Sequence, residues 1–195
     1  MAEREWFLPI FAYIEAWMKN HPDQVCFVAI DGMSGSGKSF LGEKLHETLG
    51  GMLLHMDDFF LRPQQRTKER TREVGGNVDY ERFLEEVLEP LKKGKERICY
   101  RPYNCKTQTV SEGNVLEQRG NLCIIEGSYS QHPYFQDPYD IRIVLTVSAE
   151  VQRERILRRN GSSMLARFVE EWIPMENTYL KEFQILEKSH MVYAT

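Results

Sequence analysis

The chain has 195 residues, 42% of them hydrophobic and 28% charged, the balance of a globular domain with one substantial core. Its net charge of −4 supplies no global field for nucleic acid, so any polyanion site must be built locally. The four cysteines, Cys26, Cys99, Cys105 and Cys123, show no C-x-x-C spacing, which argues against a zinc or disulfide framework.

No apolar run approaches the ~18 residues of a membrane span, and MAEREWFLPIF lacks the parts of a signal peptide. A cytoplasmic protein with no nucleic-acid or membrane partner is expected; a homo-oligomer is left open.

In chain order, Trp6, Phe7, Ile10, Tyr13, Ile14, Trp17 and Met18 recur at helical spacing, predicting an amino-terminal helix over about 5–19. It belongs to a segment (1–22) packed on the rest of a single domain spanning 1–195. QVCFVAI (24–30) is apolar almost throughout, as in a strand covered on both faces of a parallel sheet. FLGEKLHETLG (40–50) reads as a helix stopping at Gly50 and Gly51, and MLLHM (52–56) as a second strand.

A basic stretch (62–77) precedes a helix over 79–93. RICYRPY and TVSEGNVLEQ then flank an excursion. NLCIIE (121–126) and DIRIVLTV (140–147) are further buried strands, followed by a helix over 149–159 that NGSS breaks. A long helix over 164–188 should be kinked or divided at Pro174, and HMVYA closes the series as a strand. Alternating strands and helices predict an α/β domain with a parallel sheet; the P-loop NTPase type, with helices on both faces and a small lid near 155–167, is what the family resemblance of the motifs that follow implies.

GMSGSGKS (32–39) fits G-x-x-x-x-G-K-[ST] between a strand and a helix. Gly32, Gly35 and Gly37 let backbone N–H groups converge on phosphate oxygens, aided by the helix N-terminus. The expected nucleotide contacts are Gly32, Ser34, Gly35, Ser36, Gly37, Lys38, Ser39 and Phe40. Lys38 reaches the β/γ-phosphates, and the Ser39 hydroxyl is a ligand for Mg²⁺. Glu126, at the end of a later strand, is the candidate second magnesium-side group, holding a metal-bound water.

HMDDFF (55–60) carries adjacent carboxylates. From Lys38 the chain climbs a helix of ~18 Å and returns along a strand of roughly 16–17 Å, so Asp57 re-emerges beside the P-loop. If extended backbone continues, Asp57 and Asp58 face opposite ways and one meets the ligand. An aspartate there can accept the proton of an acceptor hydroxyl late in phosphoryl transfer. Phe59 and Phe60 are candidates for an apolar wall beside the acceptor, with core packing the other use for at least one of them. Arg155 and Arg158 share a helix face, which taken alone suits a solvated surface.

GMSGSGKS, HMDDFF, NVDYERF, RPYNCKTQ, IIEGSYS and the arginines near 155–159 follow an order that resembles the uridine kinase-like P-loop kinases over roughly residues 25–188. That group includes uridine/cytidine kinase, nicotinamide riboside kinase, phosphoribulokinase and type I pantothenate kinase. The resemblance implies an ATP- and Mg²⁺-dependent kinase for a small-molecule hydroxyl, foremost the 5′-hydroxyl of a nucleoside or riboside. Pantothenate, a sugar phosphate or a non-catalytic regulatory role are the alternatives.

The resemblance also implies residue roles. Asp57 would be the catalytic carboxylate, Asp79 would approach the acceptor ribose, Glu126 would help hold magnesium, and Arg155 and Arg158 would close on the transferring phosphoryl group. Tyr103 matches the tyrosine of a P-x-Y-D-x-x-x-H segment, which this chain departs from at Asn104 and at Gln108, the expected base-reading position.

Overall fold

The computed structural model describes residues 6–117 and 120–195. Residues 1–5, where the expected amino-terminal segment begins, and residues 118–119, at the end of the expected excursion, lie outside the described residues.

The first helix, α1 (Leu8–Asn20), leads into β1 (Cys26–Gly32), α2 (Lys38–Leu49) and β2 (Met52–His55). A 3₁₀ turn (Met56–Phe59), a second one (Pro63–Gln65) and α3 (Lys68–Arg72) follow. Next comes a helix in three parts: α4 (Tyr80–Phe83), a π-helical turn (Leu84–Leu88) and α5 (Glu89–Lys92). The excursion contains β3 (Arg97–Tyr100), β4 (Tyr103–Asn104), β5 (Thr109–Val110) and β6 (Asn114–Glu117), pairing antiparallel as β3–β6 and β4–β5.

The chain then re-enters the main sheet through β7 (Leu122–Glu126) and β8 (Ile141–Thr146). After α6 (Ala149–Asn160) come α7 (Ser162–Arg167), a π-helical turn (Phe168–Trp172), α8 (Ile173–Glu182), α9 (Ile185–Lys188) and β9 (Met191–Ala194).

Five strands form one parallel sheet in the order β2-β7-β1-β8-β9. The central β1 is buried along both faces, which is why its sequence shows no polar alternation. On one face Val28 and Ile30 pack with Ile10 and Ile14 of α1 and Leu41 and Leu45 of α2. On the other, Ala29 joins Phe83, Val87, Tyr179 and Ile185. Register places Ile30 beside Glu126 and Gly32 beside Leu145, so β1, β7 and β8 all end at one edge of the sheet. Ligands of open α/β sheets bind at that edge.

The division expected at Pro174 takes a specific form. A proline lacks an N–H, and its ring presses on the carbonyl four residues back. Here the preceding turn widens, and the Ile173 N–H bonds to the Phe168 carbonyl, five residues away. Pro90 follows the same rule, with the Glu89 N–H on the Leu84 carbonyl. The expected long helix ends sooner than its pattern suggested: Gln184 turns left-handed at φ 55° and starts α9.

Candidate active site

At the end of β1, a Cβ on Gly32 would stand 2.0 Å from the Leu145 carbonyl oxygen, so only glycine lets the loop leave against β8. Gly37, at φ 93°, is the N-cap of α2. Lys38 folds back over the loop, donating to the Gly32 and Met33 carbonyls at 2.9 Å each. Gly35, Gly37, Lys38, Ser39 and the half-exposed Phe40 line one wall of a cleft of about 1300 Å³. Gly32 and Ser36 do not line it: Ser36 is fully buried and its carbonyl accepts from the Thr195 hydroxyl.

Ser34 lines the cleft but is engaged by a residue that no local motif signals. Its N–H and hydroxyl both donate to the Glu176 carboxylate, at 2.9 and 2.5 Å, and the Ser128 hydroxyl adds a third bond at 2.9 Å. Glu176 is 5% exposed and comes from α8, so one carboxylate ties together the P-loop, the loop after β7 and helix α8.

Beneath it, Asp31 is fully buried and accepts four hydrogen bonds. The donors are the N–H groups of Gly32, Tyr129 and Gln131 and the Tyr179 hydroxyl, at 2.7, 3.1, 2.9 and 2.7 Å. Burial raises its pKa, and the Tyr179 hydroxyl leads the donors that pull it back.

Asp57 and Asp58 are separated by a 3₁₀ turn rather than by continued extended backbone. In such a turn successive side chains diverge by about 120°. Asp57 opens into the cleft. The cleft walls strip away enough solvent to raise its pKa; Lys38 and Arg159 oppose the rise, and Glu126 and Glu176 reinforce it. Asp58 turns the other way and accepts from the Tyr100 hydroxyl at 2.8 Å, while its carbonyl accepts from Arg82.

At the position expected for a metal, the Ser39 hydroxyl lies 3.2 Å from Glu126 Oε2, and His55 Nδ1 holds Glu126 Oε1 at 2.6 Å. That hydrogen bond is the main reason the His55 pKa is raised. The hydroxyl and carboxylate are hard oxygen ligands of the kind magnesium takes, one or two from protein and the rest from phosphates and water. Among the described residues there is no group of three or more His, Cys, Asp or Glu that could hold a metal ion.

Two expected acceptor contacts lie elsewhere. Asp79 is 1% exposed: it caps α4 through the Arg82 N–H and binds the Arg82 Nε at 3.1 Å. Phe59 is fully buried against Phe83 and Tyr100, with the Arg82 guanidinium over its ring. The same 3₁₀ turn that directs Phe59 inward leaves Phe60 on the cleft, and Asn77, two residues before Asp79, lines it too.

Tyr103 and Gln108 do reach the cleft, and Tyr103 accepts from Arg66 at 3.1 Å. Arg158 and Arg159 line it from the last turn of α6, and the Arg159 charge reaches Asp57. Arg155 lines the cleft, but its guanidinium braces the Gly35 carbonyl and the Thr195 hydroxyl at 3.0 Å each.

A family model described as an AAA domain matches residues 28–178. The chain belongs to the AAA domain family. Solved structures share the fold of this AAA domain protein. A possible uridine kinase from Bacillus stearothermophilus superposes with a TM-score of 0.67 at 19% identity, covering 95% of this chain and 99% of that one. A candidate fructose transport system kinase from Silicibacter sp. gives 0.69 at 18%, covering 94% and 98%.

D-glycerate 3-kinase from Cryptococcus neoformans gives 0.61 at 14%, covering 88% and 89%. None of the curated proteins compared with this AAA domain protein matches it. Among its described residues no helix is long and apolar enough to cross a membrane.

Proposed function

We propose that the protein is an ATP- and Mg²⁺-dependent kinase that phosphorylates a hydroxyl of a small molecule, the 5′-hydroxyl of a nucleoside or related riboside. The observation that carries this reading is the meeting of Asp57, Lys38 and the Ser39–Glu126 pair in one cleft. The P-loop backbone and Lys38 bind the phosphates. Ser39 and Glu126 would hold magnesium, which when bound neutralises charge on the phosphate oxygens. His55 keeps the Glu126 carboxylate oriented.

The acceptor oxygen bonds to the γ-phosphorus as the bond to the β–γ bridging oxygen breaks. Asp57 takes the acceptor proton, and Arg158 and Arg159 face the charge that spreads over the phosphoryl oxygens. Because the similar structures are named for uridine, fructose and D-glycerate, the acceptor assignment rests on the cleft itself. Phe60, Leu61 and Tyr103 offer an apolar surface for a ring, while Gln108 and Asn77 offer amides.

The test is ATP consumption by purified protein with uridine, other nucleosides and ribosides, pantothenate, fructose and D-glycerate. Transfer to a riboside supports the reading. ATP binding without transfer to any acceptor would replace it with a nucleotide-dependent regulatory role.

A further inference from the structure

A buried arginine joins the turn that carries Asp57 to the segment that carries Tyr103. Arg82, 4% exposed, comes from α4 and reaches three elements at once. Its Nε binds the Asp79 carboxylate at 3.1 Å, and one terminal nitrogen donates to the Asp58 carbonyl at 3.0 Å. The other terminal nitrogen donates to the Arg101 carbonyl. The guanidinium carbon stands 4.4 Å from the centroid of the Phe59 ring.

Each partner sits next to a residue of the cleft. Asp58 and Phe59 follow Asp57 in the 3₁₀ turn and precede Phe60, and both Asp57 and Phe60 line the cleft. The Phe59 carbonyl is held as well, by the Asp79 N–H at 2.7 Å. Arg101 lies two residues before Tyr103, which lines the cleft too. Glu86, four residues beyond Arg82, accepts the Arg101 N–H at 2.8 Å and its Nε at 2.7 Å. One helical face therefore grips the Arg101 backbone by its N–H and its carbonyl. A planar fork of five donors can serve three acceptors in fixed directions, whereas a lysine ammonium on a flexible stem cannot.

From this clamp we infer that Arg82 is a positioning residue: with Glu86 it sets the spacing between Asp57, which takes the acceptor proton, and Tyr103, which bounds the acceptor. Arg82 does not line the cleft, and none of its partners belongs to the P-loop, so it acts on the acceptor end and leaves the phosphate cradle alone. The inference rests on the proposed kinase function and deepens it by naming what holds the base in place.

The experiment compares wild type, Arg82→Lys and Glu86→Gln, with uridine, fructose and D-glycerate run in parallel as acceptors. ADP and phosphorylated acceptor are measured separately, and hydrogen exchange follows residues 56–60, 101–104 and 32–39. Arg82→Lys should lower transfer about 10²-fold, the cost of misplacing a reacting group. ADP release without transfer and the ATP KM should stay within about twofold, so more ATP is consumed per acceptor phosphorylated. Glu86→Gln loosens only the Arg101 end and should raise the acceptor KM about fivefold with kcat within twofold. Exchange should quicken at 56–60 and 101–104 in Arg82→Lys, at 101–104 alone in Glu86→Gln, and at 32–39 in neither.

A merely structural arginine would lower the melting temperature and leave the ratio of transfer to ADP release unchanged; that result overturns the inference. Equal losses for ATP and acceptor, or unchanged exchange in both segments, would overturn it too. Should Arg82→Lys fail to fold, Glu86→Gln decides: an unaltered acceptor KM and unaltered exchange at 101–104 would refute the clamp. Wild type that transfers to none of the three acceptors, with exchange raised as expected in the variants, would leave the clamp standing and count against the kinase assignment. Transfer by wild type with unaltered kinetics in both variants would do the reverse.

Discussion

Replacing Asp31 with asparagine keeps the shape of the side chain and removes half of its accepting capacity. Oδ1 takes the Gly32 and Tyr129 N–H groups, and Oδ2 takes the Gln131 N–H and the Tyr179 hydroxyl. Whichever oxygen becomes an NH₂ group, at least one backbone N–H then faces a donor and cannot rotate away. The least costly placement puts the amide nitrogen at the Oδ2 position, where the Tyr179 hydroxyl can reverse and accept.

One buried N–H remains orphaned at about 1–3 kcal/mol, and the retained bonds lose charge assistance worth roughly 1 kcal/mol each. Relief from burying a charge offsets part of this, leaving a net destabilisation of about 2–4 kcal/mol. That is a large share of a typical stability of about 5–15 kcal/mol. For a chain of this length each kcal/mol moves Tm by about 2–4 °C, so a loss near 3 kcal/mol corresponds to about 6–12 °C. Urea unfolding of Asp31→Asn should show a lower midpoint at unchanged slope. A midpoint within error of wild type would mean that the four donors find other partners and that Asp31 does not organise this edge of the sheet.

Asp57→Asn should lower kcat by about 10²–10⁴-fold with ATP affinity retained, measured by turnover and nucleotide titration. Asp58→Asn should leave kcat within about threefold and cost on the order of 1 kcal/mol of stability, because its carboxylate serves Tyr100. The reverse ranking in turnover would exchange their roles. The raised His55 pKa makes protonation stabilising: the contribution is present below the ordinary value of 6.5 and lost as pH rises through the raised one. NMR titration should place His55 above 6.5 and Glu126→Gln should lower it; a wild-type value at or below 6.5 would refute the pairing. Gly32→Ala should destabilise by on the order of 4 kcal/mol, since its methyl group meets the Leu145 carbonyl and its φ is 131°.

The alternation of apolar strands and helices was legible because the central strands β1, β7 and β8 are covered on both faces, and GMSGSGKS marked one end of the site. The lengths of α2 and β2 then returned Asp57 to it. What the chain withheld were interactions across distance. Nothing in WIPMENTYL marks Glu176 as a partner of Ser34, which is 142 positions away. The alternation rule failed locally at HMDDFF because a 3₁₀ turn replaced the extended chain, exchanging Phe59 for Phe60. In NVDYERF the segment reaches the cleft, but Arg82, three residues past Asp79, holds that carboxylate in the interior and leaves Asn77 facing the cavity.

The clasp on the P-loop has a consequence for how the protein matures. Its fasteners, Glu176 on Ser34, Tyr179 on Asp31 and Thr195 on Ser36, join segments 142, 148 and 159 positions apart. Contacts of such long range form late, because the intervening chain must first be ordered. During synthesis the glycine-rich loop leaves the ribosome long before the helix and strand that brace it. A nascent chain therefore carries the complete P-loop sequence without its finished shape, and tight nucleotide binding becomes a signal that the carboxyl-terminal segments have docked.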